Sequence, residues 1–423
     1  MGHVSARDIY RRLGDKIDGA VPTPWNASLH AILKELYTEE EADLVVRMPY
    51  GPSPFKRLVE VTGLAPARLQ ELLEAMTAKG LVMDLWVKEE YLYLPSPLVI
   101  GIFELTLMRT RGELKTKEWA KLFHEYFADG SFFAANLGPG VKFSIHRALP
   151  HEEAVSPDGP MEILDYEKAS ALIDAADRFA VGICACRHEQ LHMGQKACDV
   201  PLETCTSFGM SADYLIRHGL AREISRPEMR DLFAASRERR LVLCADNVQK
   251  DIGYVCHCCK CCCYALRGIT QFGYPNAVAT SGFIAKVTEK PCTGCGSCVK
   301  ACPVHAVTVS AKTPSIDEAA CLGCGVCVLA CPTKALGLRP RVQRVIPPET
   351  IFERVILQTL EHGTLQNQLF DEPRRLSHRF LRSFVGGFLR LDPVKRTLTS
   401  DLLRSSFLKT LKVGARLGGK PEI

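Results

Sequence analysis

The sequence predicts an α+β multidomain protein. Three observations lead there. The 423 residues are enough to build several separate cores. Helix-period stripes and strand-like runs follow one another in distinct blocks. All 19 cysteines lie between Cys184 and Cys331, so the chain is chemically segmented as well. The blocks are a helical unit ending in a hairpin over 1–95, a helical connector over 96–160, a Cys-rich α/β domain over 161–283, a compact repeat of cysteine motifs over 284–341, and a basic amphipathic helical tail over 342–423.

In the first block, Thr38 and Glu41 form a capping box that starts a helix over EEEADLVVRM, and the stretch Pro49 to Pro54 breaks it. Phe55, Leu58 and Val59 mark a short second helix. Leu69, Leu72, Leu73 and Met76 give the stripe of a third, closed by Gly80. The runs LVMDLWV and YLYLP, separated by KEE, read as a two-stranded wing. This order resembles a winged-helix domain, which implies a third helix able to enter a DNA groove. That helix carries Arg68 and Lys79 beside Glu71 and Glu74, too little positive charge to neutralise several phosphates. A protein-docking role therefore ranks above DNA reading.

In the connector, Trp119, Phe123, Tyr126 and Phe127 predict a helix packed by its aromatic face, and LPHEEAVSPDGP reads as a linker. From Asp165 the pattern alternates. Asp165 is expected to cap a helix running through Asp177, and FAVGICACR to form a buried strand. Ser225 with Glu228, and Pro227 in the first turn, start a helix through Arg240 that leads into the strand LVLCA.

The beginning, MGHVSARDIYRRLGDK, contains no apolar signal core, which argues against export. The longest apolar run, PLVIGIFELTLM, includes Glu104 and is shorter than the ~20 residues of a membrane span. Vicinal cysteines make poor disulfide partners. A reducing cytoplasm and thiolate metal binding fit the composition better than disulfides.

PCTGCGSCVKACP at 291–303 and CLGCGVCVLACP at 321–332 both read C-x2-C-x2-C-x3-C-P. This spacing folds a chain tightly around an iron–sulfur cube, and Gly294, Gly296, Gly323 and Gly325 permit the turning. The pair resembles the bacterial two-cluster ferredoxins over about 284–341. The resemblance implies a ferredoxin-like fold with two [4Fe–4S] clusters and short strands at IAKVTE, AVTVS and SIDE. It also implies crossed ligand sets: Cys292, Cys295, Cys298 and Cys331 for the first cluster, and Cys321, Cys324, Cys327 and Cys302 for the second.

Upstream lie Cys184, Cys186, Cys198 and Cys205, then Cys256, Cys258, Cys259, Cys261, Cys262 and Cys263 in the run VCHCCKCCCY. On a strand, Cys184 and Cys186 would share a face and act as a bidentate clip. These ten thiols suffice for one or two further iron–sulfur clusters, held group by group or jointly. Cys244, alone in an apolar strand, reads as a small buried hydrophobe. Arg187, His188, His192, Lys196 and His257 are interleaved with them, and Arg187 is expected to offset cluster charge from just outside the ligand set. The pattern resembles a family of anaerobic 4Fe–4S dicluster proteins over most of 95–341. The paired thiols also resemble the cysteine-rich modules of heterodisulfide reductases, from which the chain departs by Lys260 in place of the tripeptide glycine.

Between Arg374 and Lys420 twelve Lys or Arg stand against Asp392 and Asp401, so the tail is basic although the net charge is only +5. Phe380, Phe384 and Phe388, then Leu398, Leu402 and Leu403, recur at helical spacing. Such a tail suits an acidic protein or an anionic membrane surface, or packs on its own protein.

These readings point to a cytoplasmic electron-transfer component of an oxidoreductase system, serving redox protein partners; no G-x-G-x-x-G fingerprint occurs to support a nucleotide-dependent reductase. A place in a larger complex, or at the inner membrane surface through the tail, is compatible with them. Two other classes remain open: a reductase whose upstream, non-cubane cluster is catalytic on a small substrate, for which His257 and the surplus thiols speak, and an iron–sulfur redox-sensing regulator.

Overall fold

The computed structural model describes residues 8–110, 114–138, 141–155, 163–372, 375–400 and 403–417. The chain divides into two compact units, one formed by 1–136 with 351–423, the other by 137–350.

In the first unit, the Thr38 side chain accepts from the Glu41 N–H while the Glu41 carboxylate accepts from the Thr38 N–H, starting the helix Glu39–Arg47. Helices Phe55–Thr62 and Pro66–Lys79 both end on glycines in the left-handed conformation, Gly63 and Gly80. At Gly80 a Cβ would meet the Leu105 Cβ at 2.3 Å, so glycine is needed for space as well as for φ. Strand β1 (Ser53–Pro54) pairs with β3 (Glu90–Pro95), which pairs with β2 (Val82–Val87), giving a three-stranded antiparallel sheet. Helix Thr116–Ala128 buries Trp119, Phe123, Tyr126 and Phe127. The tail forms helices Ile351–Glu361, Leu365–Leu369, Leu376–Leu389, Asp392–Leu398 and Arg404–Leu417. Arg374, Asp401, Leu402 and Lys420 lie outside the described residues. No described helix is long and apolar enough to cross a membrane.

The second unit is built on strands β4 (His146–Leu149), β5 (Phe179–Ile183), β6 (Glu203–Phe208), β7 (Ala221–Glu223), β8 (Val242–Asp246), β9 (Tyr254–Cys258) and β10 (Val278–Ala279), in the order β10-β4-β8-β9-β6-β5-β7. All neighbours are antiparallel except β10 with β4. Because side chains alternate along a strand, Cys256 and Cys258 share one face of β9 and His257 takes the other. Gly182, Cys205, Cys256, Cys244 and Ala148 stand opposite one another on five successive strands. Ala148 and Cys244 of this row, with Cys256 packed against them, belong to a buried cluster shared with Phe283, Ile284, Leu322, Cys324 and Cys327.

That cluster belongs to the small repeat that follows. Strand β11 (Phe283–Val287) pairs with β14 (Leu336–Pro340), and β12 (Val307–Ser310) with β13 (Thr313–Ile316). Each cysteine motif leads into a short helix, Ser297–Ala301 and Val326–Leu329, entered through Gly296 and Gly325 at positive φ.

Three local expectations are corrected. Asp165 opens a short 3-10 turn, and the helix begins only at Ala169, without a side-chain cap. The stretch expected as a linker is structured over its described part: Leu149 ends β4, the His151 N–H donates to the Cys324 carbonyl at 3.0 Å, and Val155 bridges Leu338. Its residues 156–160 lie outside the described residues. The strand through FAVGICACR stops at Ile183 after a register shift, and helix Ala185–His192 starts with Cys184 as its cap. Cys184 and Cys186 thus meet at a helix N-terminus rather than on a strand face. The reason is local: ACRHEQLH is rich in helix formers, and the bulge releases the chain from the ladder.

Candidate metal centres

The cysteines of the repeat lie in turns and at two short helices, and backbone N–H groups point at several of their sulfurs. Gly294 donates to Cys292 Sγ at 3.3 Å, Ala306 to Cys302 Sγ at 3.2 Å and Ala335 to Cys331 Sγ at 3.3 Å. At Gly323, φ is +70° and a Cβ would lie 2.0 Å from the Phe283 carbonyl oxygen, so only glycine lets the turn close. Cys298 lies within electrostatic reach of Cys331 and Cys292, while Cys302, Cys321, Cys324 and Cys327 act on one another and Cys298 also acts on Cys327. Burial first, and neighbouring thiols second, raise Cys324 and push Cys327 up to about 12. Such thiols ionise readily only beside a cation, which suits iron ligation.

Upstream, the thiols fall into two gatherings. Contacts link Cys184 to Cys186, Cys186 to Cys263, Cys263 to Cys258, Cys258 to Cys256 and Cys244, and Cys256 to Cys205. Two helix N-termini converge there: the sulfur of Cys184 accepts from the Arg187 N–H, and that of Cys186 from the Tyr264 N–H. The contact with Cys186, followed by burial, raises Cys184 well above the ordinary thiol value. Cys244 is 1% exposed, and its sulfur is within reach of Cys256, Cys263 and Cys324. Cys244 is the small buried core residue that its apolar strand LVLCA implies, and what the sequence does not show is how close it lies to the other thiols. The signal lies in register, since Cys244 pairs with Cys256.

The second gathering is Cys198, Cys259, Cys261 and Cys262, whose sulfurs all lie within 4.8 Å of one another. The last three come from the tight turn after β9, with the Cys263 N–H donating to the Cys259 carbonyl at 3.2 Å.

Arg187 lies between the gatherings and is 1% exposed. It donates to the carbonyls of Pro201 and His257 and to Thr204 Oγ1. Burial opposes its charge, but Cys184, Cys259 and Cys258 outweigh it and hold the pKa above the ordinary arginine value. Cys259 is lowered by a hydrogen bond from Cys262 and by the neighbouring Arg187, against burial, which raises it.

The histidines divide. His257 turns to the other face of the sheet, its Nδ1 2.5 Å from Ser236 Oγ and its Nε2 3.1 Å from Thr206 Oγ1. Burial, then Arg187 and His151, push it down to about 3, so it is neutral near pH 7. With both nitrogens engaged by hydroxyls, it is placed neither to ligate iron nor to deliver protons to the thiols, and the reductase reading loses the support it drew from His257. His188 and His192 pair with each other, with Nε2 atoms 3.0 Å apart. Lys196 Nζ donates to the Cys198 carbonyl at 2.5 Å.

Among known proteins, residues 291–335 match the family model of the 4Fe-4S dicluster domain. No curated protein and no solved structure matches the chain. The chain therefore carries a 4Fe-4S ferredoxin-type domain, and its cysteine groups suit iron–sulfur binding.

Proposed function

We propose that this protein passes single electrons between redox protein partners through two ferredoxin [4Fe–4S] clusters and at least one further thiol-bound centre on the seven-stranded sheet. The observation that carries the reading is the shared buried core in which Cys244, Cys258 and Cys263 pack with Cys302, Cys321, Cys324 and Cys327. An upstream centre adjoining the second ferredoxin motif has a use in electron relay and little in a merely structural domain.

For the crossed ligand sets, Cys292, Cys295, Cys298 with Cys331 and Cys321, Cys324, Cys327 with Cys302, the support is the proximity of Cys298 to Cys331 and Cys292 and of Cys302 to Cys321, while Cys298 also reaches Cys327 of the other set. The linked thiols Cys184, Cys186, Cys205, Cys256, Cys258 and Cys263 are the donors available upstream. When bound, iron–sulfur clusters supply one-electron storage. The chain buries Cys302, Cys321, Cys324 and Cys327 away from water, donates N–H groups to sulfur, and places Arg187 where its charge offsets thiolate charge.

The first unit we read as a winged-helix-like docking element rather than a DNA reader. Arg68 is paired with Glu40 and Glu71, and Lys79 with Glu41, leaving that helix little free charge for phosphates. A gel shift with random duplex DNA at two salt concentrations tests this; retention at physiological salt would favour the regulator reading.

The test of the main proposal is anaerobic purification followed by iron and sulfide analysis and EPR of the reduced protein, for wild type and Cys256→Ala/Cys258→Ala. The variant should lose several irons per chain and keep the two-cluster ferredoxin signal. A folded, iron-free wild type would sink the proposal; unchanged iron in the variant would sink its upstream part.

A further inference from the structure

Cys198, Cys259, Cys261 and Cys262 differ from every other thiol set in the described chain by their spacing. Their sulfurs stand 3.7 Å apart for Cys198 and Cys259, 4.0 Å for Cys198 and Cys262, 3.7 Å for Cys259 and Cys261, and 3.4 Å for Cys261 and Cys262. Four thiolates bound tetrahedrally to one ion at about 2.3 Å lie about 3.8 Å from one another. Thiolates of a cube each bind a different iron, so they stand farther apart.

The ferredoxin motifs supply an internal comparison. Among the described residues, this is the set of Cys, His, Asp or Glu whose ligand atoms all fall within 4.8 Å of one another, and neither ferredoxin quartet does. The same chain thus holds open quartets, where a family model assigns 4Fe-4S clusters, and one closed quartet.

We propose that Cys198, Cys259, Cys261 and Cys262 bind a single tetrahedral Zn2+ ion rather than an iron–sulfur cluster. Four sulfur donors with no open position make a closed site, the arrangement of structural zinc. The ion would join two segments that share no strand pairing, the loop after helix Ala185–His192 and the turn after β9. Lys196 braces the first segment through the Cys198 carbonyl, and Lys260 fastens the second by donating to the Lys300 carbonyl at 2.7 Å. Arg187, buried beside Cys259, supplies positive charge against the net negative charge of a zinc tetrathiolate. The consequence is mechanical: the ion fixes the turn from which Cys258 and Cys263 extend toward the ferredoxin motifs. It does not depend on the electron-transfer reading, because zinc undergoes no redox change.

The experiment is zinc, iron and sulfide analysis of the full chain purified anaerobically from zinc-replete cells, for wild type, Cys198→Ser and Cys261→Ser, with EPR of the reduced ferredoxin clusters as a parallel readout. Wild type should hold about one zinc per chain. The variants should lose it while iron, sulfide and the EPR signal stay within error. Loss of iron and sulfide together, with zinc unchanged or absent, overturns the assignment in favour of a cluster. Should the variants fail to fold, X-ray absorption at the zinc edge of the wild type decides: a shell of four sulfurs without a metal neighbour supports the site, and nitrogen or oxygen donors, a second metal shell or no bound zinc overturns it.

Discussion

Cys244 on β8 stands directly opposite Cys256 on β9, and its thiol is in contact with that of Cys258. Cys258 is the hub of the gathering, since it also touches Cys256 and Cys263. The two positions should therefore respond differently. Cys258→Ser should remove about four irons per chain, the content of one cube. Cys244→Ala should keep the iron and cost about 1 kcal/mol of stability, the ordinary loss for a small core truncation. Iron analysis and anaerobic urea unfolding read both. If Cys244→Ala also lost iron, Cys244 would be a ligand in its own right.

Arg187 places a full positive charge, 1% exposed, among thiols. A nearby cation favours the more negative, reduced state of any cluster, so Arg187→Met should lower the potential of the upstream centre. The expected fall is tens of millivolts, where about 59 mV corresponds to tenfold in a one-electron equilibrium. Arg187→Lys keeps the charge but loses the fork that reaches Thr204 and His257 together, so it should recover most of the potential and less of the stability. Redox titration followed by EPR separates the two effects.

The legible parts of the molecule were those where one residue type has one local job. Thr38 with Glu41, Gly80 after the leucine stripe, and the glycines inside both cysteine motifs are found where their chemistry requires them. The opaque parts depend on strand register. Nothing in the string LVLCA says that Cys244 will face Cys256, because that pairing is fixed only when β8 and β9 align across intervening chain. Likewise VCHCCKCCCY does not announce that Cys256 and Cys258 belong with Cys184 and Cys186 while Cys259, Cys261 and Cys262 close on Cys198. The division follows from the chain leaving β9 after Cys258 and reversing in a tight turn. FAVGICACR was misleading for the same reason: a bulge after Gly182 ends the strand one residue before the cysteines begin.

Glu104 gives the first unit a pH response. Burial raises its pKa to about 7, although the N–H of Gly101 donates to its carboxylate at 3.0 Å. The folded value lies above the unfolded one, so folding favours the protonated form. Its contribution is greatest below the unfolded pKa and is lost as pH rises through about 7. Glu104→Gln keeps a neutral acceptor of similar shape. It should raise stability at pH 8 by up to about 3 kcal/mol, change it little at pH 4, and flatten the dependence between. Anaerobic denaturant unfolding at pH 4, 6 and 8 reads this, and an equal effect at all three values would refute it.

Helix Leu376–Leu389 carries Phe380, Phe384 and Phe388 at 71, 72 and 58% exposure, with Leu376 and Leu391 continuing the row. The rings of Phe380 and Phe384 lie parallel, 6.4 Å between centroids. Aromatic side chains standing in water along one helical stripe expose an apolar face of the kind that interfaces cover. Arg375, Arg379, Arg382 and Arg390 belong to the same segment, so an anionic surface suits it better than a neutral one. The full-length protein is expected to sediment with vesicles containing phosphatidylglycerol, to release as salt rises, and to ignore pure phosphatidylcholine. Phe384→Asp/Phe388→Asp should weaken binding at least about tenfold, since each buried Phe is worth about 2 kcal/mol. Arg379→Gln/Arg382→Gln should flatten the salt dependence instead. Binding that is equal for neutral and anionic vesicles would remove the electrostatic half of this account, and no binding to either would leave the row to an acidic protein partner, detectable as salt-sensitive capture of the wild type but not of the double Phe variant.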